Sequence, residues 1–166
     1  MSEIAQRRTV ETDGAIFGSR VMKQVAFVVP DIDAAVSTYA ELLGMTPPEI
    51  RIPPPRAERE YGGKPLPESI NFKVAMFELD NITLELIEPL GGPSAWHDVL
   101  VEQGGAALHH LAFEVDDGDQ AAKDLAVRGF EPLQSQARAN RGRMVYVDAR
   151  SELGTFFELL GGPPGG

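Results

Sequence analysis

The chain has 166 residues, 43% hydrophobic and 24% charged, with no cysteine and a formal charge of −10 at pH 7. That length suits one compact domain or two small modules sharing a core. The negative charge argues against nucleic acid as a partner, the missing cysteines exclude disulfides and thiolate metal ligands and point to the cytoplasm, and no apolar run approaches the ~20 residues that span a bilayer.

Residues 1–20, opening "MSEIAQRRTVETDG", are polar and hold no run of signal-peptide type. They read as an N-terminal extension that adds an edge strand or lies loose. "QVAFVVPDIDAA" (24–35) then gives an apolar strand, an Asp31 N-cap and a helix whose apolar face is Ile32, Ala35, Val36, Tyr39, Leu42 and Leu43. Gly44 is its expected C-cap. The Pro-rich stretch 47–67 reads as a long loop carrying Arg51, Arg56, Arg59, Tyr61 and Lys64. "SINFKVAMFELD" and "NITLELIEPL" follow as two strands around a tight turn near Asp80-Asn81. This is the first module, 21–91. A linker, 92–106, contains "PSAWHDVLVEQGG", a short helix with a possible Ser94 N-cap and terminal glycines.

The second module, 107–162, repeats the first; residues 163–166 are a tail. "HLAFEVDDGDQA" (110–121) matches 24–35 without a gap at Ala112, Phe113, Val115, Asp117, Asp119 and Ala121, and Gly129 is the second helix stop. "RMVYVDA" and "GTFFELLG" are the corresponding strands, separated from that helix by a basic stretch, "RANRGR" (Arg138, Arg141, Arg143). The pattern is β-α-β-β-β twice: an α+β fold of two tandem modules forming an open, curved barrel of mixed sheet.

Alternation along each strand sorts the side chains. Val25, Phe27 and Val29 face the helix, with Gln24, Ala26 and Val28 opposite; Leu111, Phe113 and Val115 face the helix, with His110 and Ala112 opposite. In "TLELI" and "FFELL", Glu85 and Glu158 fall at equivalent positions on the groove face. Gln24, Glu85, His110 and Glu158 are thus expected in one groove, while His109 points to the helix side or the strand end. An amide, an imidazole and two carboxylates balance a 2+ ion and leave two octahedral positions open. Taken singly, a groove glutamate pairs with arginine or lysine, and a lone histidine is a hydrogen-bonded core residue; the symmetric placement of four such groups favours a metal site.

On "QVAFVVPDIDAAVSTYAELLGM", "ITLELIEPL", "GPSAWHDVLVEQGGAALHHLAFEVDD" and "GTFFELL", roughly residues 20–162, the sequence resembles the vicinal oxygen chelate superfamily of glyoxalase I, methylmalonyl-CoA epimerase, extradiol dioxygenases and bleomycin-resistance proteins. "LELIEPL" and "LHHLAFEVDD" look closest to the epimerase-like branch. The resemblance implies an open barrel around one divalent metal (Zn, Ni, Co, Mn or Fe) held by Gln24, Glu85, His110 and Glu158, a set similar to that of eukaryotic-type glyoxalase I. It also implies a homodimer and a small-molecule substrate. Gln24 departs from the histidine usual in epimerases. Val28 and Ala106 are neutral where glyoxalase I holds glutathione with basic groups, and Lys73 or a neighbour stands where epimerases place a catalytic glutamate.

The function expected is a metal-dependent lyase or isomerase of glyoxalase or epimerase type, abstracting a proton next to a carbonyl of a small anionic substrate through a metal-stabilised enolate. Glu158 is the candidate base and Lys73 its candidate acid–base partner, the alternative for Lys73 being an ion pair with Glu78 or Glu85. Arg141, Arg143 and the 51–64 loop are candidate anchors for an anionic tail. Tyr61 and Trp96 are candidates for the mouth, with packing of the linker helix the alternative for Trp96. The rival class is a metal-free protein that binds and sequesters a small molecule, as bleomycin-resistance proteins do.

Overall fold

A computed structural model describes residues 16–139 and 141–163; most of the expected N-terminal extension and tail lies outside them. The order is β1 (Met22–Val28), α1 (Ile32–Leu43), β2 (Glu60–Tyr61), β3 (Lys64–Pro65), β4 (Asn71–Glu78), β5 (Thr83–Leu90), α2 (Ala95–Gln103), β6 (Ala107–Val115), α3 (Gly118–Ala126), β7 (Pro132–Ala137), β8 (Arg143–Ala149), one-turn α4 (Arg150–Leu153) and β9 (Thr155–Gly161). All nine strands form one mixed sheet in the order β3-β2-β7-β8-β9-β6-β1-β5-β4. The repeat is visible in its centre. β1 runs parallel to β5 as β6 runs parallel to β9, and β1 and β6 meet antiparallel.

Local chemistry sets the helix ends. Asp31 and Asp117 accept from the backbone N–H groups of Ala34 and Gln120 at 3.0 Å, and Ser94 accepts from His97 N at 3.1 Å. Gly44 stops α1 in the left-handed region, φ 64°. Ile32 and Val36 are buried on α1, each worth about 1.5–3 kcal/mol of apolar burial. Leu42 and Leu43 are exposed instead, and Ala40 takes the buried position in the last turn.

Three apolar clusters follow the alternation. α1 covers Phe27, Val29, Ala75, Phe77, Leu84 and Leu86 on one half of the sheet. α3 covers Val115, Val145, Val147 and Leu159 on the other half. The opposite face carries Ala26, Val28, Val74, Ile87, Met144, Tyr146 and Phe156, with α2 and Trp96 packed against them.

The 47–67 stretch is more ordered than a loop reading implies. It contains the β2–β3 hairpin, which joins β7, and a bridge between Arg51 and Val74 that replaces the second strand of the first repeat. Ala137 N donates to Ala57 O and Asn71 Nδ2 to Pro53 O, tying the stretch across the open side between β4 and β7.

Candidate active site

β1 is the axis of the site. Its Ala26 pairs with Glu85 of β5 on one side and with His110 of β6 on the other, and Ala112 of β6 pairs with Glu158 of β9. Both alanines are fully buried and share the groove face. Their methyl groups leave room for larger side chains from the flanking strands to meet above them.

They do meet. His110 Nε2 lies 3.3 Å from Glu85 Oε2 and 3.1 Å from Glu158 Oε2, and the three side chains are 0%, 10% and 7% exposed. Neither contact is aligned as a hydrogen bond: His110 Nε2 and Glu158 Oε2 are buried without a hydrogen-bond partner among the described residues. Burial opposes charge on His110, but Glu158 and then Glu85 outweigh it and push its pKa up to about 10. Burial raises the pKa of Glu85, Glu158 adds to that, and His110 opposes it. Two buried carboxylates around one imidazole are a costly arrangement for the protein alone. A nitrogen donor with a carboxylate oxygen on either side, and no hydrogen bond to satisfy it, is a donor set that a hard or borderline divalent cation takes. The residues therefore fit such an ion. Gln24, half-buried on β1, lines the same recess as Glu85 and Glu158.

The two histidines of "LHHL" share one face. Ala26 pairs with His110, yet Phe27 pairs with Leu108, so His109 is an extra residue in β6. Such a bulge breaks the alternation and re-aims a side chain. His109 packs at 5.1 Å from the Tyr146 ring and 5.2 Å from that of Phe156, and His110 is also 5.1 Å from Tyr146. The expectation that His109 points away is corrected accordingly. Its Nδ1 is 2.8 Å from His110 Nδ1. Burial, then the charge on His110, holds the His109 pKa well below its ordinary value. Neutral His109 is thus the acceptor and His110 Nδ1–H the donor, which fixes the tautomer that leaves His110 Nε2 facing the acids. The bulge carbonyl accepts from Thr155 Oγ1 at 3.1 Å.

A cavity of about 650 Å³ opens from Glu85 and Glu158 toward the 49–59 stretch, walled by Phe72, Trp96, Met144 and Tyr146. Trp96 is fully buried, donates from Nε1 to the Tyr146 hydroxyl at 3.1 Å and stacks on Phe72. Burial, then Glu158 and Glu85, raise the Tyr146 pKa well above its ordinary value, so the phenol keeps its proton.

The family model described as the Glyoxalase/Bleomycin resistance protein/Dioxygenase superfamily matches residues 23–147. The chain belongs to this superfamily. It is 30% identical over 140 residues to the mitochondrial methylmalonyl-CoA epimerase of Mus musculus, covering 83% of this chain and 71% of that one. It is 29% identical to the ethylmalonyl-CoA/methylmalonyl-CoA epimerase of Cereibacter sphaeroides, covering 69% and 75%. The crystal structure of methylmalonyl-CoA epimerase from Mycobacterium tuberculosis shares the fold, with a TM-score of 0.57 at 18% identity over 96% of both chains. The Streptomyces coelicolor epimerase in complex with 2-nitronate-propionyl-CoA does so with a TM-score of 0.58 at 20% identity, over 88% of this chain and 96% of that one.

Within this superfamily member, several candidate residues stand apart from the centre. Lys73 alternates with the groove residues Phe72 and Val74 and so faces α1. Its Nζ is 3.0 Å from Glu88 Oε1 and 3.9 Å from Asp33 Oδ2, so neither Glu78 nor Glu85 is its partner. Asp31, Asp33 and Glu88 bring carboxylate oxygens within 4.8 Å of one another. Their duties are already assigned: Asp31 caps α1, Glu88 Oε2 accepts from Ile32 N at 2.9 Å, and Lys73 supplies the countercharge. Arg143 is held by Glu58, Asp119 and Ser135, and Arg141 (φ 66°) sits on the same outer side, away from the main cavity. Tyr61 donates to Asp98 Oδ2 on α2 rather than lining the mouth. Conversely, Glu49 and Arg59 line the cavity. The sequence marks Arg59 only as one of several basic residues of the 51–64 loop and gives no sign of Glu49, since an irregular segment has no periodicity to place its side chains.

Proposed function

We propose that the protein is a divalent-metal-dependent isomerase of the epimerase-like branch, removing and returning the proton next to the thioester carbonyl of a carboxyacyl compound such as methylmalonyl-CoA. The observation that carries this reading is the buried Glu85–His110–Glu158 centre, with unpartnered Nε2 and Oε2 atoms, at the head of a 650 Å³ cavity. The epimerase relatives support the substrate class.

Gln24, Glu85, His110 and Glu158 would hold a divalent ion, which would supply positive charge beside the carbonyl oxygen. His109 holds the His110 ring and tautomer. Glu158, whose Oε2 has no hydrogen-bond partner in the protein, loosens from that position to take the proton from the carbon beside the carbonyl. Epimerisation needs a proton delivered to the other face of that carbon. Glu49 on the cavity wall takes the role that Lys73, facing α1, is not placed to fill. Tyr146 keeps its hydroxyl proton beside Glu158, and the aromatic wall of Phe72 and Trp96 excludes water. The same reading places the protein in the cytoplasm as a homodimer. The cysteine-free, acidic composition supports the compartment, the family resemblance supports the dimer, and no helix among the described residues is long and apolar enough to cross a membrane.

The test is deuterium incorporation into methylmalonyl-CoA in heavy water. The wild type is expected to exchange the proton in a divalent-ion-dependent manner, and Glu158→Gln to lower the rate by about 10²–10⁴-fold. A wild type that exchanges no carboxyacyl thioester with any of the five metals added would remove the reading.

A further inference from the structure

The cavity contains a second unsatisfied group, and it is cationic. Arg59 is 6% exposed, its Nη2 donates to Ile70 O, and its Nη1 is buried without a hydrogen-bond partner among the described residues. The side chain lines the main cavity, with Cζ 6.0 Å from the ring centroid of Trp96. The segment bearing it is fixed on both sides: Ala137 N donates to Ala57 O at 3.0 Å, Glu58 Oε2 pairs with Arg143 Nη1 at 2.9 Å, and Leu66 N donates to Arg59 O at 2.8 Å. The carboxylate whose charge acts on it is that of exposed Glu68, which leaves Nη1 without a hydrogen bond.

A buried guanidinium with a free N–H is expensive unless an anion completes it, and the geometry arginine favours is that of a carboxylate. The other arginines of the loop, Arg51 and Arg56, are exposed to water and carry no such cost. We propose that Arg59 is the carboxylate-recognition group of this cavity, its Nη1 edge binding the free carboxylate of the acyl substrate and orienting the carbon beside the carbonyl toward the acidic centre. This deepens the epimerase-like reading and rests on it for the identity of the acyl group. It makes the enzyme selective for carboxyacyl over plain acyl compounds, since a neutral acyl chain would leave the Arg59 charge unanswered.

Trp96, the single tryptophan of the chain, lies under the guanidinium and reports on it. The experiment is a titration of Trp96 fluorescence with malonate in EDTA, so that no metal takes part, with propionamide and inorganic phosphate as controls. Malonate is expected to saturate the wild type, and propionamide and phosphate to bind at least about tenfold more weakly. Arg59→Met should weaken malonate by about tenfold or more, the loss of one charge-assisted hydrogen bond, Arg59→Lys by less, and Lys123→Gln, on α3 and outside the cavity, by under about threefold. Thermal stability of Arg59→Met should hold or rise, because a buried charge with only exposed Glu68 as countercharge has been removed; a merely structural arginine would lower it. Equal malonate binding in Arg59→Met and wild type, no saturation of the wild type, or preference for phosphate would each overturn the proposal. Failure of the epimerase reading shows separately, as wild type that binds malonate but exchanges no substrate proton.

Discussion

One sheet places a basic nitrogen between two carboxylates twice, once on each face. On the α1 face Lys73 stands between Glu88 and Asp33, 29%, 17% and 77% exposed. On the groove face His110 stands between Glu85 and Glu158 and all three are buried. The Lys73 set is closed: the amine donates to Glu88, which raises its pKa, water solvates the remainder, and Glu88 also accepts from the first backbone N–H of α1 at Ile32. The His110 set is open, because the contacts are not aligned as hydrogen bonds and a neutral imidazole keeps a nitrogen lone pair for a cation, which an amine holding its proton lacks. Equal charge patterns thus have opposite chemical meaning, decided by burial and by the titrating group.

The largest expected difference between the two sets is in metal affinity. Titration calorimetry with Co²⁺ or Mn²⁺ should show His110→Ala and Glu85→Ala losing at least about 10²-fold, near 2.7 kcal/mol, while Lys73→Met leaves the affinity unchanged. Equal losses at Lys73 would erase the distinction. Next comes His109→Phe, which fits the aromatic pocket of Tyr146 and Phe156 but removes the acceptor for His110 Nδ1–H. It should weaken metal binding by about 10–100-fold. Affinity equal to wild type would reduce His109 to packing.

The smallest effect is an ordinary ion pair outside both sets. Hydrogen bonds from Arg150, at 2.7 Å and 2.9 Å, lower the Asp148 pKa. A depressed carboxylate pKa stabilises the fold above the unfolded value of about 3.9, and that contribution is lost as pH falls through the folded value. Urea midpoints of wild type and Asp148→Asn should therefore differ at pH 6 and draw together as pH falls below about 4. A gap that stays constant with pH would show that Asp148 acts by packing alone.

What the chain discloses in advance follows from period and spacing. The duplicated strand–Asp–helix stretches, the caps at Asp31, Ser94 and Gly44 and the groove positions of Glu85 and Glu158 all rest on local chemistry or strict alternation, and they hold in the structure. The same alternation, applied to "NFKVAMF", places Lys73 with Ala75 and Phe77 under α1, against its expected role at the site. His109 is different in kind: a one-residue bulge leaves no trace in the apolar pattern, so its turn into the groove is legible only from strand register. Arg59 and Glu49 lie in an irregular segment whose path is fixed by long-range contacts such as Arg51–Val74 and Ala57–Ala137.

The most direct measurement is anomalous diffraction from crystals grown with Co²⁺ or Mn²⁺. One strong peak should stand about 2.0–2.2 Å from His110 Nε2 and from carboxylate oxygens of Glu85 and Glu158, with Gln24 completing the set. An empty groove, or a peak confined to Asp31, Asp33 and Glu88, would contradict the assignment of the buried centre as a metal site.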